Sequence, residues 1–146
     1  MAITSAICNS FKVEILKAIH NFTASSGNTF NLALYTSSAT LNKSTTAYSS
    51  SNEISNTSGS AYSAKGLALT SVTPVLSSDT AVCDFANVSW TSASFTSRGC
   101  LIFNDTASGD PSVCAIDFGG DKTVTSGTFT IEFPAASAGS AIIGIA

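Results

Sequence analysis

The stretch TFTIEFP, residues 128–134, alternates apolar and polar side chains more regularly than any other part of this sequence. Successive side chains of an extended strand point to opposite faces, so Phe129, Ile131 and Phe133 would share one face. The polar side chains between them would face solvent. The stretch therefore predicts a β-strand with one buried face, which is typical of antiparallel sheets.

The same period of two recurs along the chain and predicts several short strands. FNLALY, residues 30–35, is predicted to be a half-buried strand. Further strands are predicted at 66–73, 80–85, 95–104, 113–118 and 141–145. Turn-forming residues separate them, in clusters at 77–79, 108–111, 119–121 and 126–127. This arrangement predicts a mainly β fold, either an antiparallel β-sandwich or a small barrel.

The N-terminal region has a period of four instead. Apolar side chains recur there at Ile7, Phe11, Ile15 and Ile19. The pattern predicts an amphipathic helix over about residues 5–20, packed on the sheet or lying at its edge. Together, the helix and strands predict a single domain over 1–146, with the sandwich formed by 29–36 and 66–146.

Residues 36–61 interrupt the strand pattern. This segment is rich in serine and threonine, and its strongly apolar residues are Leu41, Tyr48 and Ile54. A loop of this length in a compact domain is commonly functional or disordered. We therefore expect either an extended arm whose three apolar residues lie on another surface, such as a neighbouring subunit, or a flexible surface loop.

The composition favours a protein that packs against neighbours in a large assembly. Charged residues make up only 10% of the chain, against the roughly 25% typical of globular domains. Hydroxyl groups keep the surface polar instead, and they cost less to bury at a contact than ions do. The net charge of −3 and the six scattered basic residues argue against nucleic-acid binding. The sequence has neither an apolar run of membrane-spanning length nor a recognisable secretory signal.

Few of the groups that catalysis or metal binding requires are present. His20 is the single histidine, and it is predicted to lie at the helix end as a surface residue rather than in a catalytic triad. Two pairs of aspartates flank turns, Asp105 with Asp110 and Asp117 with Asp121. Neither pair has the spacing of a calcium loop, so all four are predicted to be solvated turn residues. We therefore expect no enzyme activity, no cofactor, and no catalytic or metal-ligating residue.

The four cysteines lack the spacing of a zinc site. Cys100 and Cys114 fall roughly opposite each other if residues 100–104 and 112–118 form a hairpin. Two alternatives remain for this pair. They form a cross-strand disulfide, or they are two small apolar thiols packed in the sheet.

The stretch VSWTSASFTSRGCLIFND, residues 88–105, holds the only tryptophan, Trp90, and the only arginine, Arg98. Trp90 is predicted to fill core or interface volume, because an indole buries a large apolar area. The strand beyond Gly99 is apolar on both faces, which predicts burial on both sides. We expect Arg98 to pair with a carboxylate such as Asp84 or Asp117, to stack on an aromatic ring, or to bind a ligand.

Several segments, taken in order, span nearly the whole chain: FKVEILKAIHNF, FNLALYTSSAT, NEISNTSGSAYSAKGLAL, VSWTSASFTSRGCLIFND, AIDFGGDKTVTSGTFTIEFP and AIIGIA. Together they resemble a family of short structural proteins of tailed bacteriophages. The resemblance implies a non-enzymatic component of the virion, present in many copies and made in the cytoplasm of the host bacterium. Cys100 and Cys114 depart from the small residues that are usual in such proteins.

On this basis the sequence predicts a capsid decoration, or cement, protein. It would bind the outer shell at capsomer junctions and bridge subunits of the major capsid protein, with copies of itself forming a trimer. The alternatives are a tail, neck or fibre-tip component, and a carbohydrate-binding module that stacks sugars on Trp90, Tyr48 and Tyr62. The candidate interface residues are Leu41, Tyr48, Ile54, Tyr62, Trp90 and Arg98.

Overall fold

The computed structural model describes residues 2–55 and 59–146. Two antiparallel sheets and one short helix form a β-sandwich-like fold, which confirms the fold class predicted from the alternating pattern. The elements are β1 (Ala6–Ile7), α1 (Asn9–Leu16), β2 (Phe30–Tyr35), β3 (Leu67–Ala68), β4 (Ser71–Ser77), β5 (Thr80–Phe85), β6 (Val88–Asn104), β7 (Ser112–Ile131) and β8 (Ile143–Ile145). No helix in these two stretches has the length and apolarity needed to cross a membrane.

The larger sheet has five strands in the order β1-β7-β6-β2-β3, and the smaller has three in the order β4-β5-β8. The long β6–β7 hairpin forms the centre of the larger sheet, where Leu101 pairs with Ala115 and Ile102 pairs with Cys114. β2 pairs with the other side of β6. The part of β6 that is apolar on both faces, residues 100–103, thus lies at the centre of the larger sheet. It is completely buried, which confirms the predicted burial on both sides.

β2 is buried at all six positions, so the prediction of a half-buried strand is wrong. Leu32 and Leu34 pack into the core between the two sheets. Ala33 and Tyr35 point to the opposite face, which we call the outer face, and pack into a second apolar cluster there. The loop that follows β2 covers this cluster. A sheet covered on both faces buries both sets of side chains, which explains the unbroken burial.

Two predicted turns, at 119–121 and 126–127, lie inside β7 instead. The pairing with β6 shifts at both places, so the extra residues form β-bulges. Gly119 (φ 77°) and Ser126 (φ 46°) adopt left-handed conformations there. Residues that favour turns therefore bend this part of the β6–β7 ribbon rather than end the strand.

α1 is shorter than the predicted helix over 5–20. The first predicted helical residues are extended, because β1 pairs with β7. At the other end, Ala18 has a φ of 57°, a left-handed conformation of the kind that ends helices. The remaining predicted residues therefore lead out of the helix, toward His20 and the core.

Candidate functional site

Four of the six candidate interface residues are buried in this chain's own core, so the prediction that they contact a neighbour is wrong. The exposed fraction is 6% for Leu41, 7% for Ile54, 1% for Tyr62 and 3% for Trp90. The rings of Tyr62 and Trp90 pack against each other with centroids 6.0 Å apart, so they offer no platform for a sugar. The other two candidates, Tyr48 and Arg98, are half-buried.

The predicted arm lies on the outer face of this chain's own sheet rather than reaching outward. Leu41 forms a parallel bridge with Ile3 and packs into the apolar cluster on that face. The N–H of Ile54 donates to a carbonyl of β2 at 2.9 Å. Residues 36–55, which we call the loop cover, thus lie over the outer face and end paired with the edge of β2, where Ile54 packs into the core between the sheets. The part of the predicted arm at 56–58 lies outside the described residues.

Glu53 holds the loop cover in place through three hydrogen bonds. Its Oε1 accepts from the Tyr62 hydroxyl and from the Lys65 N–H, both at 2.7 Å, and its Oε2 accepts from the Tyr48 hydroxyl at 2.5 Å. Burial and the bond to Glu53 raise the pKa of Tyr48 to about 12 and also raise the pKa of Tyr62, so both hydroxyls remain donors. A single glutamate in a Ser/Thr-rich stretch carries no pattern that reveals this role.

Asp105 and Asp110 lie in the turn between β6 and β7 and are partly exposed, as predicted, and both also bind Lys65, which the sequence analysis did not predict. The Lys65 Nζ lies 2.7 Å from the Asp105 Oδ1 and 2.9 Å from the Asp110 Oδ2. These hydrogen bonds raise the pKa of Lys65. The same ammonium group lies 5.8 Å from the centre of the Tyr48 ring. The turn between β6 and β7 is therefore tied to the loop cover.

His20 is buried, so its predicted surface position is wrong. Its Nδ1 lies 3.2 Å from the Asn104 Nδ2, and its Nε2 lies 2.7 Å from the Glu14 Oε2. The Asn104 Oδ1 already accepts from the N–H groups of two turn residues, Thr106 and Ala107. The Asn104 Nδ2 therefore donates to His20 Nδ1, and His20 Nε2 donates to Glu14. Both ring nitrogens make structural bonds, which leaves neither to activate a nucleophile.

Cys100 and Cys114 are free thiols, so the disulfide alternative is wrong and the packed-thiol alternative is confirmed. The hairpin register places Cys114 opposite Ile102 and Cys100 opposite Ile116, so the two cysteines are not cross-strand partners. Burial raises the pKa of Cys100, and raises that of Cys114 to about 12. A thiol that resists ionisation is a poor nucleophile and a poor metal ligand.

Arg98 pairs with Asp117, which confirms one of the partners predicted from the sequence. The Arg98 Nε donates to the Asp117 Oδ1 at 2.9 Å. This bond lowers the pKa of the Asp117 carboxyl group. The pair bridges β6 and β7 next to the bulge at Gly119. No group of three potential metal ligands occurs in the part of the chain that the structure describes.

Large apolar side chains are exposed on two surfaces that the sequence analysis missed. The β4 surface consists of Val72, Val75 and Leu76, with exposed fractions of 45%, 55% and 73%. Val75 and Leu76 are consecutive strand residues and point to opposite faces, so these side chains flank the free edge of β4. The helix surface consists of Val13 and Leu16, with exposed fractions of 53% and 89%. Single exposed apolar residues are common, but grouped ones mark contact surfaces. Leu16 adjoins Ile15 of the predicted apolar stripe and would widen it, so no sequence signal identified Leu16 as exposed.

Among the grooves formed by the described residues, one mostly apolar groove lies between α1 and β8, and another lies along β7 and the segment that leads into β8. The helix groove, of about 350 Å³, is lined by side chains that include Phe11, Ile15, Leu16 and Ile145. The ribbon groove, of about 510 Å³, is lined by residues that include Phe118, Phe129, Phe133, Ile142, Lys122 and Glu132. The first groove is also lined by Ile143 and the second by Ile142, which are neighbours in the chain.

No protein-family model, no curated protein and no solved structure matches this chain.

Proposed function

We propose that this chain is a non-enzymatic structural protein of a tailed-phage particle, and that it acts as a decoration protein on the outer shell of the capsid. Its partners are the major capsid protein at capsomer junctions and further copies of itself. The resemblance of its segments to short phage structural proteins supports this proposal. The hydroxyl-rich, charge-poor composition and the exposed apolar surfaces support it as well.

The β4 surface is the observation that carries the proposal. Leu76 and Val75 are 73% and 55% exposed, on a strand whose outer edge has no strand partner among the described residues. Apolar side chains and free backbone groups on such an edge both gain from contact with another protein. Pro74 and the bulge between Val72 and Val75 interrupt the edge, so the side chains rather than a continuous sheet would make the contact.

Many copies on a regular shell turn weak contacts into tight attachment. A molecule that bridges two capsid subunits binds its second site at a high effective concentration, so modest single contacts suffice. Because the bridge forms only on the assembled shell, binding stabilises the shell by mass action. This mechanism requires folded surfaces and no chemical step.

Add-back to stripped particles tests the proposal. Particles that lose the protein are expected to become less heat-stable and to recover when the purified chain is added. Leu76→Glu places a charge in the β4 surface and is expected to weaken binding by about tenfold or more. Ser37→Glu, at an exposed position of the loop cover on the other side of the molecule, is the matched control. Stripped particles of unchanged stability, or equal binding by Leu76→Glu, would contradict the proposal.

A further inference from the structure

We infer that the ribbon groove is a binding site for a single-chain amphiphile with an anionic head, of the class of long-chain fatty acids. The apolar walls of the groove would hold the hydrocarbon chain, and Lys122 would bind the carboxylate. None of the described residues that line the groove belongs to β4. The inference therefore goes beyond the proposed function and does not depend on it.

The walls of the ribbon groove are aromatic and aliphatic. Phe118, Phe129 and Phe133 line it and remain half-buried, so part of each side chain is left uncovered by the chain itself. Ile131 and Ile142 also line the groove and are half-buried. Covering this apolar surface with a hydrocarbon chain removes it from water, which favours binding.

The floor of the groove carries no charge. It includes Cys100 and Ile116, which pair across β6 and β7. Cys100 is fully buried, and burial raises the pKa of its thiol, so the sulfur stays neutral. The volume of about 510 Å³ lies within the ~300–1,000 Å³ that is usual for sites that hold small molecules. The groove thus has the size and the uncharged interior that an alkyl chain requires.

Lys122 is the charged side chain on the face of the ribbon that forms the groove. Val124, two residues further along β7, pairs with Phe95, and both pack against the core between the sheets. Residues two apart in a strand point to the same face, so Lys122 lies on the face of Val124. Lys122 is itself among the residues that line the groove.

The positive charge of Lys122 is available to a ligand. Lys122 forms no salt bridge within residues 2–55 and 59–146. Glu132 also lines the groove, but it alternates with Ile131 and Phe133, so its side chain points to the opposite face. An apolar groove with one ammonium group on its face matches a ligand with one alkyl chain and one anionic head.

These features favour an amphiphile over a protein segment. A peptide in the groove would bring backbone N–H and C=O groups that the aromatic and aliphatic walls cannot bond, and burying such groups without partners costs free energy. A fatty acid has no such groups along its chain. Its single carboxylate would lie beside Lys122, where it remains partly hydrated because Lys122 is exposed.

Isothermal titration calorimetry of the full chain tests the inference, with ligands kept below the concentrations at which they form micelles. Dodecanoate is expected to bind about tenfold more tightly than octanoate, because its additional methylene groups enter the groove. Dodecanoate is also expected to bind about fivefold more tightly than dodecyltrimethylammonium, which has the same chain and a cationic head.

The substitution Lys122→Glu should reverse this preference, so that the cationic amphiphile binds about fivefold more tightly than dodecanoate. Lys43→Glu makes the same change of charge at an exposed position of the loop cover and should keep the wild-type preference. Because the Lys122→Glu chain should still bind one of the two ligands, the reversal itself shows that the groove is intact.

Three results would overturn the inference. The first is wild-type chain that binds dodecanoate no better than octanoate, or does not bind it. The second is a head-group preference that survives Lys122→Glu. The third is a preference that Lys43→Glu reverses as well, since net charge rather than Lys122 would then select the ligand. Add-back to stripped particles tests the proposed function separately, because it depends on the β4 surface.

Discussion

The two faces of the five-stranded sheet are covered in different ways. The outer face lies beneath the loop cover, residues 36–55, which contributes few apolar side chains but is fastened by Glu53 and Lys65. The face toward the three-stranded sheet carries most of the apolar core. That side nevertheless stays open along β8, where the helix groove and the ribbon groove remain.

This difference teaches that the composition of a segment does not decide whether its apolar residues are buried. Leu41 is 6% exposed in a hydroxyl-rich loop, because hydrogen bonds and a strand bridge hold that loop against the sheet. Leu16 is 89% exposed in an apolar helix, because α1 ends there and no described residue covers its outward side. The outer face is complete within one chain, whereas the β8 side presents surfaces that a partner can complete.

A matched pair of leucine substitutions gives the largest expected contrast. Leu101→Ala removes a fully buried side chain beneath the loop cover and should lower the free energy of unfolding by about 3 kcal/mol. Leu16→Ala removes an exposed side chain and should change it by no more than about 0.5 kcal/mol. Urea denaturation at a concentration where the chain is monomeric measures both. Equal losses would mean that the helix surface is packed within the monomer.

Substitution of Glu53 is expected to have the next largest effect on the free energy of unfolding. It tests which contacts fasten the loop cover. Glu53→Ala leaves three donors without their acceptor and should cost about 2 kcal/mol of unfolding free energy. Glu53→Gln keeps one carbonyl acceptor and should cost about 1 kcal/mol. Thermal and urea unfolding of the two variants provide the measurement. An alanine variant as stable as the wild type would show that apolar contacts alone hold the loop.

Substitution of Arg98 is expected to have the smallest effect on the free energy of unfolding. The ionisation of Asp117 determines how that effect changes with pH. The pKa of Asp117 is lowered below its usual value of 3.8 in the folded chain, so the pair stabilises the fold while the carboxylate is ionised. This stabilisation is present above pH 3.8 and is lost as the pH falls through the lower, folded pKa. Urea unfolding should therefore separate wild type from Arg98→Gln near neutral pH and not in strong acid. A difference that grows on acidification would contradict this assignment.

Local sequence patterns predicted the fold well for elements that bury only one face in the core. Alternation identified the strand at 80–85 with its observed bounds, and it identified the two-sheet class. It misjudged β2, because burial on the outer face depends on a loop that alternation does not describe. It also read bulge residues such as Ser126 as turns, since both structures use the same backbone conformations.

The candidate surfaces could not be read from the sequence, because they combine residues that are distant in the chain. Leu16 and Ile145 line one groove from opposite ends of the sequence. Trp90 was a natural candidate for an interface because indoles are common there, but the curved ribbon encloses it. Asp117 was one of several partners expected for Arg98, and the predicted hairpin between their strands brings the two charges together.

A reconstruction of the intact particle tests the central claim, adhesion between folded surfaces, most directly. We predict density for this chain on the outer shell at the junctions between capsomers, with β4 against the major capsid protein. Density in the tail, neck or fibre tip would contradict the decoration role. Density on the shell with Leu76 facing solvent would contradict the assignment of the β4 surface as adhesive.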